Sequence, residues 1–174
     1  MLVAVFVIPF LLAVLALKVD WFNKGVTNRG ELLTPPVELP DLLRGETPIW
    51  RIFYVMPDVC EEKCENAIYS LNQIWEASGR EKERVIATVV QTTSSDTAKM
   101  SEIAAQPQFS ILTAETKTLS EAFATQSQEA LFISDTLGNV ILRYPLSEVQ
   151  QEAIMNSRDV LADLKKLLKL SRIG

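Results

Sequence analysis

The sequence predicts an α/β fold: a mixed sheet flanked by helices and preceded by a transmembrane helix. Three observations predict it. Met1 to Leu17 carries no charge and is almost wholly apolar. An aromatic and β-branched run, Trp50 to Met56, stops at Pro57, and both cysteines of the chain, Cys60 and Cys64, follow directly. Beyond them, short β-rich runs alternate with amphipathic stretches as far as a closing helix.

The N-terminal segment, extended through Phe22, is long enough to span a bilayer core at about 1.5 Å per residue. Lys18 and Asp20 then mark one interface, with Trp21 and Phe22 as an aromatic belt. The rival reading, a cleaved signal peptide, lacks a basic start and a small-residue cleavage site. We therefore expect an uncleaved anchor over 1–22 that crosses a membrane once. Lys18, Lys24 and Arg29 follow the helix and by the positive-inside rule point to the cytoplasm. The cysteine pair, useful outside the cytosol, points to the periplasm, which is the expectation adopted.

Residues 23–48 hold four of the eight prolines and three of the six glycines. They predict a linker and entry segment, with Leu32-Leu33 and Val37–Leu39 able to add an edge strand. A single domain is expected over 49–174. Its first strand is Trp50–Met56, ended by Pro57, which cannot donate to a ladder. Asp58 is a good N-cap for a helix running from Val59, with apolar positions Ala67, Ile68, Leu71, Ile74 and Trp75. Both cysteines then fall in its first turns, one turn apart on one face. Ser78-Gly79-Arg80 ends it. Arg84–Val90 is a buried strand, Thr97–Gln106 a short helix, Phe109–Leu112 a third strand and Leu119–Thr125 a further short helix. Ala130–Ser134 and Val140–Tyr144 flank a turn at Gly138-Asn139 and predict a hairpin. From Ser147-Glu148 a last helix carries Ile154, Val160, Leu161, Leu164, Leu167 and Leu168 toward the sheet. Trp50 and Trp75 are expected in the core. A strand, a turn, then paired cysteines at a helix start is a thioredoxin-like layout, and so is the order of elements.

Composition narrows the chemistry. The net charge of −5 leaves no basic footprint for nucleic acid. Histidine is absent, which excludes His-containing zinc and haem sites and Ser-His-Asp or Cys-His catalysis within the chain. Two cysteines cannot build a four-cysteine zinc site. Asp96, Glu102 and Glu115 are scattered and read as solvated surface.

The string Met56-Pro57-Asp58-Val59-Cys60 after an aromatic strand resembles the copper-site motif of the SCO/SenC family. The Phe132–Tyr144 hairpin resembles that family too. The segment Asn23–Leu33 is similar to small bacterial membrane proteins associated with cytochrome oxidase. The resemblance implies a membrane-anchored, thioredoxin-like protein that assists assembly of the copper centre of cytochrome c oxidase. It implies as partners an oxidase subunit or an assembly factor, and copper as cofactor. The family motif carries a cysteine where Met56 stands. Cys60 matches its second cysteine, and Cys64 restores a C-x-x-x-C pair one turn further on. The family's distant histidine falls near Gln126 or Ser127.

Three roles remain open for the pair: a structural disulfide, a redox dithiol with Cys60 as nucleophile and Cys64 resolving, or a Cu(I) site. A loop this small gains little from cross-linking, so stability is a poor motive for the first. Cu(I) accepts two thiolates and a thioether, which makes Met56, Cys60 and Cys64 the candidate metal ligands. Met56 is alternatively core filler. The helix N-terminus favours thiolate, while Glu61, Glu62 and Glu65 oppose it. The competing class is a degenerate module that only docks an oxidase or its assembly factors.

Overall fold

The computed structural model describes residues 2–18, 27–44, 48–123 and 126–172. Helix α1 spans Leu2–Lys18, and its apolar side chains from Val7 to Leu15 are exposed, Phe10 by 68%. Among the described residues no helix is long and apolar enough to cross a membrane. The 17 residues of α1 reach only about 25 Å at 1.5 Å per residue, against a hydrocarbon core of about 30 Å. Trp21 and Phe22, the expected aromatic belt, lie outside the described residues.

Six strands form one sheet: β1 (Glu31–Glu38), β2 (Trp50–Val55), β3 (Val85–Gln91), β4 (Phe109–Thr113), β5 (Ala130–Ser134) and β6 (Asn139–Pro145), in the order β1-β6-β5-β2-β3-β4. β2, β3 and β4 run parallel, while β5, β6 and β1 pair antiparallel. The helices are α2 (Pro40–Leu43), α3 (Glu62–Ala77), α4 (Thr97–Ala104), α5 (Thr116–Ala122) and α6 (Gln150–Leu170). This is the expected mixed, thioredoxin-like sheet with helices on its faces. The proline-rich entry segment supplies the edge strand β1, whose pairing with β6 slips between Leu32 and Val37.

β2 is buried along its whole length because both faces of the sheet are covered. Trp50, Ile52 and Tyr54 share one cluster with Leu71 and Ile74 of α3 and Val160 and Leu164 of α6. Phe53 and Val55 share the other with Leu33, Leu43, Leu119 and Phe123. There Phe132 stacks on Phe53 with ring centroids 5.1 Å apart and meets Phe123 at 5.0 Å. The β5–β6 turn requires Gly138: its φ is +92°, and a Cβ would lie 2.9 Å from the Cα of Pro40.

Two helix starts differ from expectation. α3 begins at Glu62 behind Glu61, which makes no side-chain cap, so Asp58 is not its N-cap and Cys60 lies ahead of the helix. α5 starts earlier than Leu119, at Thr116, behind the extended backbone of Glu115.

The chain entering the sheet is pinned to α6 by a buried carboxyl group. Asp163, 3% exposed, accepts from the backbone N–H of Arg29 (2.8 Å) and Gly30 (2.9 Å) and from the Tyr144 hydroxyl (2.8 Å). The Arg29 guanidinium meets Asp159 at 2.5 Å, and Lys166 donates to Thr27. Burial, then the hydrogen bond to Asp163, holds the Tyr144 phenol well above its ordinary pKa. Gly30 allows the approach: a Cβ there would sit 2.4 Å from Tyr144 Cζ. Removing the carboxyl strands three donors, two of them buried. Asp163→Ala is therefore expected to lower stability by about 3 kcal/mol, and Tyr144→Phe by about 1.5 kcal/mol. Urea unfolding of the solubilised chain measures both, and losses under about 0.5 kcal/mol would show that the clamp contributes little.

Candidate functional site

The end of a parallel strand in an open sheet is where loops converge, and β2 delivers the sulfur residues there. The ladder continues one residue past β2, with Met56 N–H donating to the Val90 carbonyl at 2.9 Å. Pro57 then turns the chain out through Asp58 and Val59, which are exposed, to Cys60. Cys60 is half-buried and Cys64 2% exposed.

The β3–α4 loop holds this irregular stretch in place. Ser95 Oγ donates to the Met56 carbonyl (2.9 Å), and Asp96 N–H donates to the Pro57 carbonyl (2.9 Å). The Asp96 carboxylate accepts from Cys60 N–H through one oxygen (3.2 Å) and from Lys99 N–H through the other (3.0 Å). One side chain thus caps α4 and fixes the cysteine loop. The N–H groups of Lys99 and then Cys60 hold its carboxyl below the ordinary carboxylate range. Lys99 in turn meets Glu65 of α3 (2.7 Å) and Glu102 (2.9 Å), contacts that raise its own pKa, the Glu65 bond foremost. Asp96 is therefore tied into the site's frame rather than being plain solvated surface, while Glu102 is exposed as expected. The signal for Asp96 was in the sequence, since an Asp before Thr97-Ala98-Lys99 is an N-cap pattern.

Cys60 and Cys64 are joined in a disulfide with Cα atoms 5.1 Å apart, inside the usual span for such a bond. The expected placement of both cysteines on one helical face is corrected here: only Cys64 is on α3, in its first turn. Leaving Cys60 outside the helix frees its backbone to bring the two sulfurs together. Met56, 2% exposed, packs in the core, and its Sδ lies 3.6 Å from Cys64 Sγ. The three predicted sulfur residues are thus gathered at one place. Among the described residues no group of three or more histidine, cysteine or carboxylate side chains has the arrangement of a metal site. Gln126, where the resemblance puts a histidine, has a buried Oε1 without a partner among the described residues.

A cleft of about 530 Å³ opens beside Cys64, lined by Tyr54, Pro57, Val59 and Leu146 and by Glu61, Glu62, Lys63, Glu129 and Glu148. Lys63 lies 3.4 Å from Glu148 and 3.8 Å from Glu129, all with exposed side chains. Asn66 of α3 donates to the carbonyls of Ser147 and Glu148, fixing the cleft's far wall. Burial, and secondarily Glu129, push the Tyr54 phenol up, so it stays protonated.

A family model described as the transmembrane-like, thioredoxin-like, C-terminal domain matches residues 50–171. No curated protein sequence matches the chain. Among solved structures, the yeast Sco1 crystal structure aligns at 11% identity over 76% of this chain and 85% of its own, with a TM-score of 0.56. Yeast Sco1 with copper bound aligns at 13% identity over 74% and 79%, with a TM-score of 0.53. A SCO1/SenC family lipoprotein from Bacillus anthracis aligns at 12% identity over 84% and 98%, with a TM-score of 0.53. At such identities the likeness is one of fold.

Asp96 generates a pH prediction. Its folded pKa is depressed, so its stabilisation is present above the ordinary carboxylate value of about 3.9 and is lost as pH falls through the folded value. Urea midpoints measured from about pH 7 down to about pH 2.5 are expected to fall more steeply below about pH 4 in the wild type than in Asp96→Asn. Parallel acid limbs would refute the assignment.

Proposed function

Since the chain belongs to the transmembrane-like, thioredoxin-like family, we propose that it is a membrane-tethered thiol–disulfide exchange protein serving cytochrome c oxidase assembly. The observation that carries this reading is the Cys60–Cys64 disulfide at the end of β2, with one sulfur residue half-buried and the other buried. A partner thiolate attacks Cys60 Sγ, the S–S bond breaks, and Cys64 leaves as thiolate. Its place in the first turn of α3 puts that thiolate near the positive end of the helix dipole, which favours it, against the charge of Glu61, Glu62 and Glu65. A second partner thiolate attacks the mixed disulfide and releases Cys60. The partner dithiol is oxidised to a disulfide as the pair is reduced, two electrons passing in all. The oxidase context rests on the motif resemblance. A site that only docks its partner would need neither cysteine.

The Met56–Cys64 sulfur contact favours a second reading, in which the reduced pair carries Cu(I) as cargo. The donor set fits: two thiolates and a thioether are soft ligands. No imidazole is present for Cu(II). Met56, Cys60 and Cys64 would hold the ion.

The exchange reading predicts that Cys64→Ser, attacking an added small-molecule disulfide through Cys60 and expelling one of its thiols, is trapped as a mixed disulfide, while Cys60→Ser is trapped at least about tenfold less because Cys64 is buried. Mass spectrometry under non-reducing conditions reads this, and equal trapping by both variants would sink the assigned roles. For copper, Met56→Leu keeps the volume and is expected to weaken Cu(I) binding about tenfold, or about 1.4 kcal/mol, in competition with a chelator. A reduced protein that competes no better than the double Cys→Ser variant would end the copper reading.

The tether is the uncharged, solvent-exposed apolar run of α1. The full chain is expected to resist carbonate extraction, with its domain in the periplasm of a bacterial inner membrane. Release into the supernatant, or a reporter after Gly174 active only in the cytoplasm, would overturn anchor and orientation respectively.

A further inference from the structure

The cleft beside the pair is electrically lopsided. Four carboxylates, Glu61, Glu62, Glu129 and Glu148, share it with one ammonium, Lys63. The Lys63 pairs are long and exposed, at 3.4 and 3.8 Å, so they are screened by water and leave the negative excess in place. The floor adds an independent feature, a polar group directed into the cleft. Tyr54 is 3% exposed and lines the cleft, yet its hydroxyl makes no hydrogen bond among the described residues. The ring is buried while the hydroxyl opens to the cleft, where a docked segment can take up its hydrogen-bonding capacity. At the rim, Val59 is 66% exposed and offers an apolar contact.

We propose that this cleft docks a cationic polypeptide segment whose own dithiol is the pair's exchange partner. The inference rests on the exchange reading above and names its substrate class. Lysine or arginine residues beside the partner's cysteines lie against the four carboxylates. An N–H of the segment donates to the Tyr54 hydroxyl, and an apolar side chain covers Val59. Docking brings a partner thiolate to Cys60, the accessible sulfur. The electron balance is that of the exchange already written: the segment's two thiols become a disulfide and the Cys60–Cys64 disulfide becomes two thiols. The negative field offsets any benefit from a bare anionic thiolate, so small or acidic thiols are poor substrates and a cationic frame is needed to carry the thiolate in.

The test uses the full chain in detergent with the disulfide closed. Two synthetic peptides carry the same cysteine pair, one flanked by lysines and the other by glutamates, and dithiothreitol is the uncharged control. Opening of the disulfide is followed by alkylation and mass spectrometry. At low salt the lysine peptide is expected to react at least about tenfold faster than the glutamate peptide, and the ratio is expected to shrink toward unity near 1 M salt. The double variant Glu129→Gln/Glu148→Gln is expected to lower that ratio several-fold. Because the ratio is internal to each preparation, a loss of total active protein does not mimic the result. Equal rates for the two peptides, or a ratio unchanged in the double variant, would overturn the proposal. A disulfide that dithiothreitol itself cannot open would instead overturn the exchange reading beneath it.

Discussion

The site depends on one carboxylate bridging two loops. After Pro57 the chain from Asp58 to Glu61 has neither strand nor helix to hold it, and irregular backbone of this kind is usually mobile. The Asp96 bond to Cys60 N–H, with the Ser95 bond to the Met56 carbonyl, supplies the missing order from the neighbouring parallel strand. The position of Cys60, off the helix but within bonding distance of Cys64, follows from that tie. So does the division of the pair into an approachable sulfur and a buried one.

Much of the fold was legible in the sequence because its signals are local. The aromatic run ending at Pro57, the Gly138 turn and the stripe of Val160, Leu161, Leu164 and Leu168 each follow from the periodicity of one segment. The start of α3 was misplaced for the same reason. Asp58 satisfies the local rule for an N-cap, but the deciding contact comes from Asp96, far along the chain. The candidate sulfur residues were legible as a string, and the structure brings Met56 and Cys64 into contact. What lay beyond reach was the cleft, because Glu129 and Glu148 enter it from the β5–β6 side only once the sheet is assembled.

Asp163 is a different kind of omission. It sits between Val160 and Leu164 on the apolar stripe of α6, a position where an unpaired carboxyl would be costly. That placement alone implied a dedicated set of donors. They are two backbone N–H groups of the entry segment and the hydroxyl of Tyr144, made possible by the missing side chain of Gly30.

This clamp also sets where the reactive end stands. Ser147 and Glu148, at the head of α6, touch α3 beside the cleft, whereas the entry segment is fastened at Asp163. From Gln150 to Asp163 the helix rises about 20 Å. α6 therefore acts as a rigid strut, with the entry segment fastened near one end and the disulfide carried toward the other. The cysteines thus stand at a fixed distance from the entry segment at Arg29 and Gly30.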